Sequence, residues 1–424
     1  MANPNNWFRS GLHHIWLPYA QMKTIPDPAP VSRTQGALLE LADGRQLIDG
    51  VGSWWTSVHG YNHPTLLDAA RAQLETMPHV MLGGLAHEQA YKLATRLSDI
   101  TPGDLDKTFF TESGSVAVEV AMKIAVQYYM NLTGERRTRF LSFKGGYHGD
   151  TFATMSVCDP DEGMHSLFAG VVPEQYVTDL PINPEQQEAF DRLLSQQKDI
   201  AAVLVEPLIQ GAGGMRMHSE DTLRFMRAAC DRHGVLLIFD EIFTGFGRTG
   251  EMFAATRATV PPDIMCVGKA LTGGITPLAA TIASRKVYEA FHTDSSENAL
   301  MHGPTFTGHA VGCAVANAGL DLFEREPRLS QVRSIEQQLS KELMPVKELP
   351  LVNRVQVCGA VAAVELSTDF NVEKARRWFI DRGAFIRPLG RVVYLTPAFV
   401  IKPDQLRALT SVIADFAQHA DQLS

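Results

Sequence analysis

Short, unbroken apolar runs punctuate the middle of the chain at residues 108–111, 139–143, 200–205, 235–239 and 264–267. Runs of this length without polar alternation predict strands covered on both faces, as in a parallel sheet. Between them the apolar spacing turns helical, most clearly over 116–129 (VAVEVAMKIAVQYY) and 221–233. Strands alternating with helices predict an α/β fold built on a mainly parallel sheet.

The outer segments are patterned differently. Residues 36–41 and 46–49 flank Asp43-Gly44, a hairpin signal. From about residue 325 onward, charged helical stretches alternate with short strands at 361–366 and 392–395. Both ends are therefore expected to build a smaller α/β domain, with the division at 1–60, 61–325 and 326–424. The 424 residues exceed the roughly 250–300 at which a single core stops growing, which agrees with two domains.

Composition narrows the class. At 45% hydrophobic and 20% charged residues, the chain has the profile of an ordinary globular protein. A net charge of −9 is the wrong sign for the basic footprint of a nucleic-acid binder. Cys158, Cys230, Cys266, Cys313 and Cys358 are scattered and form no CxxC pair, which suits reduced thiols in the cytoplasm. No apolar run approaches the ~20 residues of a membrane span, and the first residues lack an apolar signal core. The expectation is a soluble cytoplasmic protein that handles small molecules.

The chemistry-bearing residues collect at the carboxyl ends of the expected strands: Glu112-Ser113-Gly114-Ser115, Gly145-Gly146-Tyr147-His148, Glu206-Pro207, Asp240-Glu241 and Gly268-Lys269. In open α/β sheets that edge is where ligands bind, so the five segments point to one shared site. Pyridoxal 5'-phosphate (PLP) asks three things of a protein: a lysine for a Schiff base, a carboxylate for the pyridine nitrogen, and an anion cradle. Lys269 and Asp240, closing successive strands, suit the first two. Ser113-Gly114-Ser115 leads from a strand into a helix, whose first-turn N–H groups and dipole favour a phosphate. Tyr147 follows another strand, where it could stack on a ring; a glycine-rich turn with a packed tyrosine is the plainer reading.

Other patterns carry less. Gly245-Phe246-Gly247-Arg248-Thr249-Gly250 matches the GxGxxG dinucleotide pattern. It does not follow its strand directly or open an apolar helix, so it is read as a chance match. His59 and His63 lack a carboxylate partner at helical spacing and are read as ordinary histidines. Trp7, Trp16, Trp54 and Trp55 fall in the first 55 residues with Tyr19 among them. Neighbours in an extended chain face opposite ways, so one of Trp54 and Trp55 is free to line a site. Arg387 could fork onto a carboxylate or simply be a surface residue.

Taken together, these motifs resemble the class III aminotransferases over nearly the whole chain. The stretch from Asp240-Glu241 through Gly250 to Asp263 and Gly268-Lys269-Ala270-Leu271 is the most specific. Ile15-Trp16-Leu17-Pro18-Tyr19, Gly52-Ser53-Trp54-Trp55, His59–His63 with Pro64, Gly114–Glu119 and Met301-His302-Gly303-Pro304-Thr305-Phe306 resemble the branch that serves biotin biosynthesis. The resemblance implies the type I PLP fold, a homodimer, and amino transfer from S-adenosylmethionine to 7-keto-8-aminopelargonate. Lysine as donor, or another ω-aminotransferase reaction, is the alternative. It implies Lys269, Asp240 and Tyr19 as catalytic residues, with Tyr147 stacked on the cofactor. Gly114 and Ser115 would hold the phosphate, joined by Pro304 and Thr305 from the partner subunit. Tyr19, Trp54, Trp55, Tyr147, Gly303 and Arg387 would meet substrate. Leu17, where histidine is common, and Phe243, where a small residue is common, depart from the pattern.

Overall fold

A computed structural model describes residues 6–160, 166–168 and 170–423. The chain divides into two compact units. One comprises Met1–His63, Ser334–Val357 and Val361–Ser424; the other comprises Pro64–Arg333 with Cys358–Ala360. Each is described by itself.

The first unit begins with an antiparallel meander of β1 (Val31–Gln35), β2 (Leu38–Leu41) and β3 (Gln46–Asp49). Between β2 and β3 the chain reverses at Asp43-Gly44. Gly44 takes a left-handed φ of 88°, and the Asp43 carboxylate accepts the Arg45 N–H at 3.1 Å. Alternate side chains of the meander (Leu39, Leu41, Leu47) point inward to a small apolar cluster.

The second unit is built on seven strands: β4 (Leu105–Thr111), β5 (Arg139–Phe143), β6 (Tyr176–Thr178), β7 (Ile200–Val205), then, past a short hairpin of β8 (Ile209–Gln210) and β9 (Arg216–Met217), β10 (Leu236–Asp240), β11 (Ile264–Val267) and β12 (Ala279–Ser284). Their order in the sheet is β4-β12-β11-β10-β7-β5-β6. All run parallel except β12, which lies antiparallel between β4 and β11. β7, β10, β11 and β12 are buried at every position. That explains runs without polar alternation, because both faces are covered. The helix Gly114–Thr133 packs on this sheet through Ala117, Val118, Ala121 and Ala125. β6 and β12 were not among the expected strands. β6 is three half-buried residues at the sheet edge. β12 is Ala-Ala-Thr-Ile-Ala-Ser, small side chains that let the helix approach until Thr281 Oγ1 donates to Ala117 O at 2.6 Å. β6 is made of strand formers, Tyr-Val-Thr, but three residues are too short a run to read, and β12 lacks a bulky apolar run.

Returning to the first unit, β13 (Val352–Cys358), β14 (Val361–Leu366) and β16 (Val392–Leu395) form a three-stranded sheet. β15 (Ala384–Phe385) pairs parallel with β3, Ala384 opposite Ile48 and Phe385 opposite Asp49. One sheet therefore draws strands from both chain ends. Among the described residues no helix is long and apolar enough to cross a membrane.

Candidate active site

Because β4, β5, β7, β10 and β11 run parallel, their carboxyl ends share one edge of the sheet. Asp240 ends β10, buried. Its Oδ2 lies 2.9 Å from His148 Nδ1, and its Oδ1 accepts the Ile242 N–H at 3.2 Å. Both side chains are almost fully enclosed. An ionised carboxylate in such a place needs charge-assisted hydrogen bonds to offset its lost hydration. The backbone N–H of His148 is in turn held to Cys158 Sγ at 3.2 Å.

Lys269 follows β11 through Gly268 and opens a single 3-10 turn, Lys269–Thr272. Its φ is +43°, a left-handed conformation that costs an L-residue on the order of 1 kcal/mol or more and collects at functional positions. Burial lowers the pKa of its amine, while the carboxylates of Asp240, Glu206 and Asp150 oppose the shift. The amine is thus more readily neutral than a surface lysine, while the nearby carboxylates favour its charged form.

The loop after β4 supplies a helix N-terminus. Ser113 caps the helix Gly114–Thr133 by accepting the Val116 N–H. The helix itself offers no acceptor to the N–H groups of Gly114 and Ser115. A Cβ on Gly114 would stand 3.0 Å from the Ile242 side chain, which would have to give way. Ser115 Oγ accepts the Asp150 N–H at 3.2 Å, and Gly149 is pressed against it so closely that any side chain would collide.

Tyr147 lies in the loop after β5. Its N–H donates to Glu206 Oε2 at 3.0 Å, and the Gly211 N–H donates to Glu206 Oε1 at 2.9 Å. Glu206 therefore ties the loop after β5 to the one after β7. Burial pushes its carboxyl up to about 7, with His148 opposing and Asp240 reinforcing the rise. Glu241, next to Asp240, has a different task. It accepts the N–H groups of Ala254 and Ala255 and the Thr244 hydroxyl, and burial holds it near about 7 as well.

Gly303, Pro304 and Thr305 lie in an irregular segment of the same unit, Gly303 and Thr305 exposed. Lys123, on the helix Gly114–Thr133, holds the start of this segment by donating to Met301 O at 2.8 Å. Thr307 Oγ1 anchors its end to Phe110 O on β4 at 2.8 Å. The GxGxxG match at Gly245–Gly250 is a buried run of turns between β10 and the helix Ala254–Ala258 and opens no helix. Among the described residues no group of His, Cys, Asp and Glu could hold a metal ion; the His59 and His63 rings lie 6.5 Å apart, edge to face.

Within the first unit a separate group forms. The Tyr19 and Trp54 rings meet edge to face at 6.3 Å, and the Arg387 guanidinium lies over the Trp54 ring at 4.7 Å. Burial lowers the Arg387 pKa, and Arg376 adds to the effect. Trp54 is 39% exposed and Trp55 only 6%, its ring edge-on to Tyr394. The two tryptophans do face different surroundings, but not by alternation along an extended chain. Gly52, Ser53, Trp54 and Trp55 all have left-handed φ values, 60°, 47°, 54° and 73°.

Of the sequence-predicted residues, Lys269, Asp240, Gly114, Ser115 and Tyr147 come together at one sheet edge, and Tyr19, Trp54 and Arg387 come together in the other unit. Trp55 is instead packed inside. Two residues given no role from sequence, His148 and Glu206, hold Asp240 and Tyr147. Both sat at strand ends, but nothing in their spacing revealed 2.9–3.0 Å contacts across the sheet.

These features fit PLP. A buried lysine with a lowered pKa, a carboxylate held by an imidazole, and glycine-lined amides at a helix N-terminus stand on one edge of an α/β sheet. Fold and site together define a PLP-dependent aminotransferase. Residues 19–416 match the family Aminotransferase class-III. The chain is 42% identical over 412 residues to the adenosylmethionine-8-amino-7-oxononanoate aminotransferase of Corynebacterium glutamicum, covering 94% of this chain and 96% of that one. It is 36% identical to the Saccharomyces cerevisiae enzyme of the same name, with 96% of each covered. The crystal structure of the Methanocaldococcus jannaschii adenosylmethionine-8-amino-7-oxononanoate aminotransferase superposes with a TM-score of 0.94 at 32% identity, over 99% of this chain and 100% of that one. The chain belongs to the class III aminotransferases.

Proposed function

We propose that the chain moves an amino group from S-adenosylmethionine to 7-keto-8-aminopelargonate, giving 7,8-diaminopelargonate for biotin synthesis. The observation that carries this reading is the Tyr19–Trp54–Arg387 group, present in a chain whose near-full-length relatives bear that activity in their names. Two aromatic rings suit an adenine and a sulfonium cation. One guanidinium suits the carboxylate of a long keto acid.

In this reading Lys269 would hold the cofactor aldehyde through its amine, Asp240 would serve the pyridine nitrogen, Tyr147 would pack against the ring, and Gly114 and Ser115 would receive the phosphate. Bound there, PLP supplies an electron sink that lets a C–H bond next to nitrogen release its proton. The Lys269 amine, neutral and free of the aldehyde, would be the base that takes that proton and the acid that gives it back. Burial lowers its pKa towards the range a base needs at neutral pH. Asp240 would hold a proton on the ring nitrogen, and His148, 2.9 Å away, keeps Asp240 in place. By the family resemblance Tyr19 and Gly303 would also meet substrate; Trp55, packed inside, is left out of that set.

The functional form in this reading is a homodimer, with Pro304 and Thr305 contributed by the partner subunit. The exposure of Trp16, Met301 and Phe306 supports a covered surface in these regions. Five free, buried cysteines support a cytoplasmic, reducing location.

The test follows the two half-reactions separately by stopped-flow absorbance. Adenosylmethionine is expected to discharge the PLP form far faster than lysine or β-alanine, and 7-keto-8-aminopelargonate to restore it. Faster discharge by lysine would replace the donor; faster discharge by β-alanine would replace the pathway.

A further inference from the structure

Four consecutive left-handed residues are not self-supporting, because three of them carry a Cβ that clashes with the following carbonyl in that conformation. Something outside the turn has to hold it. Asp49, the last residue of β3, is buried, and its carboxylate faces the turn. Oδ1 accepts the N–H groups of Val51 at 2.8 Å and Gly52 at 3.0 Å, and Oδ2 accepts that of Ser53 at 3.1 Å. The Tyr61 hydroxyl donates to Oδ2 at 2.6 Å and lies 2.6 Å from Ser53 Oγ. On the far side Thr396 Oγ1 donates to Val51 O at 3.0 Å. Successive N–H groups converging on one anion form a nest, normally filled by a ligand. Here the acceptor in the nest is the protein's own carboxyl group.

We infer that Asp49 is a positioning residue for substrate: by bonding the N–H groups of Val51, Gly52 and Ser53 it sets the left-handed turn that presents Trp54 towards Tyr19 and Arg387. The substrate part of this inference rests on the proposed function, in which Trp54 and Arg387 meet substrate. Asp49 touches no reacting atom and acts only through the turn. An asparagine cannot replace it, because its NH₂ would face a backbone N–H where an acceptor is needed. Tyr61 is the auxiliary, holding one carboxylate oxygen and Ser53 together.

The experiment compares Asp49→Asn and the milder Tyr61→Phe with the wild-type holoenzyme. Melting temperature and PLP affinity establish that each variant folds and loads its cofactor. The substrate readout is a double-mutant cycle with Trp54→Ala. Asp49→Asn should raise KM by roughly tenfold or more with a much smaller fall in kcat, and should add little to Trp54→Ala, since both remove the same wall. The second readout needs no substrate. The near-UV circular dichroism of Trp54, taken as wild type minus Trp54→Phe, should collapse in the Asp49→Asn background and shrink in Tyr61→Phe. An intact Trp54 band in folded Asp49→Asn overturns the inference, as does full additivity in the cycle. If the wild type accepts neither proposed substrate, the functional reading fails and the dichroism alone decides the role of Asp49. If Asp49→Asn does not fold, Tyr61→Phe decides it by the same band.

Discussion

A carboxylate enclosed at the end of a strand stays charged only if hydrogen-bond donors replace the water it lost, and for Asp240 the side-chain donor is His148. Asp240→Asn keeps shape and volume but removes the charge that would hold a proton on the cofactor nitrogen. Its kcat should fall by about 100-fold or more, the range of general acid–base effects, with KM little changed. His148→Ala leaves the carboxylate in place without that donor. A hydrogen bond to a charged group contributes about 1.5–3 kcal/mol, so kcat should fall by roughly 10- to 100-fold. Single-turnover rates with wild-type-like values in either variant would remove the pair from the mechanism. Arg387 belongs to the same scale. Arg387→Ala should raise KM for the keto-acid acceptor by roughly tenfold or more, since losing one partner of a desolvated charge pair costs about 2–5 kcal/mol. The donor half-reaction should change far less, and equal losses in both would deny Arg387 the acceptor carboxylate.

Loops become precise when a buried group ties them to each other. Glu206 does this for the loops after β5 and β7, through Tyr147 and Gly211. Its native pKa of about 7 stands above the ordinary 4.5, so the folded protein holds a proton that the unfolded chain has already released. The stabilisation is complete below about pH 4.5 and is lost as pH rises through 7. Glu206→Gln has no charge to bury; its NH₂ would face one of the two backbone N–H donors at every pH, which offsets stability by a constant and leaves the pH trend. The stability of the variant relative to wild type, followed by thermal melting, should therefore improve from about pH 4.5 and level off above about pH 7, with a limiting slope of about 1.4 kcal/mol per pH unit in between. A flat difference across that window would mean that Glu206 ionises normally. Glu241 is raised in the same way, but its change is common to both proteins and cancels in the comparison.

At the scale of the whole molecule, the proposed dimer makes a prediction that no single-chain effect imitates. If Thr305 serves the partner's phosphate, Lys269→Ala and Thr305→Trp damage different faces of the same shared site. Each homodimer should be nearly inactive. In a mixed dimer one site carries both lesions and the other carries neither, so co-expression should restore measurable turnover. The restored fraction should follow the yield of mixed dimer isolated with two affinity tags. With both homodimers inactive, no recovery in purified mixed dimers would place Thr305 at its own chain's site.

The strands were legible in the chain because burial on both faces leaves unbroken apolar runs. β5, β7, β11, β14 and β16 begin and end where those runs do. Lys269, Asp240 and the Ser113-Gly114-Ser115 turn were legible for a related reason: polar groups that abruptly close an apolar strand have few roles besides binding. The small strands β6 and β12 were not: β6, at the sheet edge, is only three residues long, and β12 is kept small by its close helix contact. Nor did sequence disclose that His148 meets Asp240 or that Glu206 meets Tyr147, since those pairs form only when parallel strands are laid side by side. The tryptophan pair is the sharpest case. Extended-chain alternation separated Trp54 from Trp55, whereas the fold separates them by a left-handed turn held on a buried carboxylate. Local chemistry is written in residue types and their spacing. Which side chain answers which across the sheet is decided by tertiary packing, because hydrogen bonds of about 3 Å depend on the register of elements that the chain brings together from far apart.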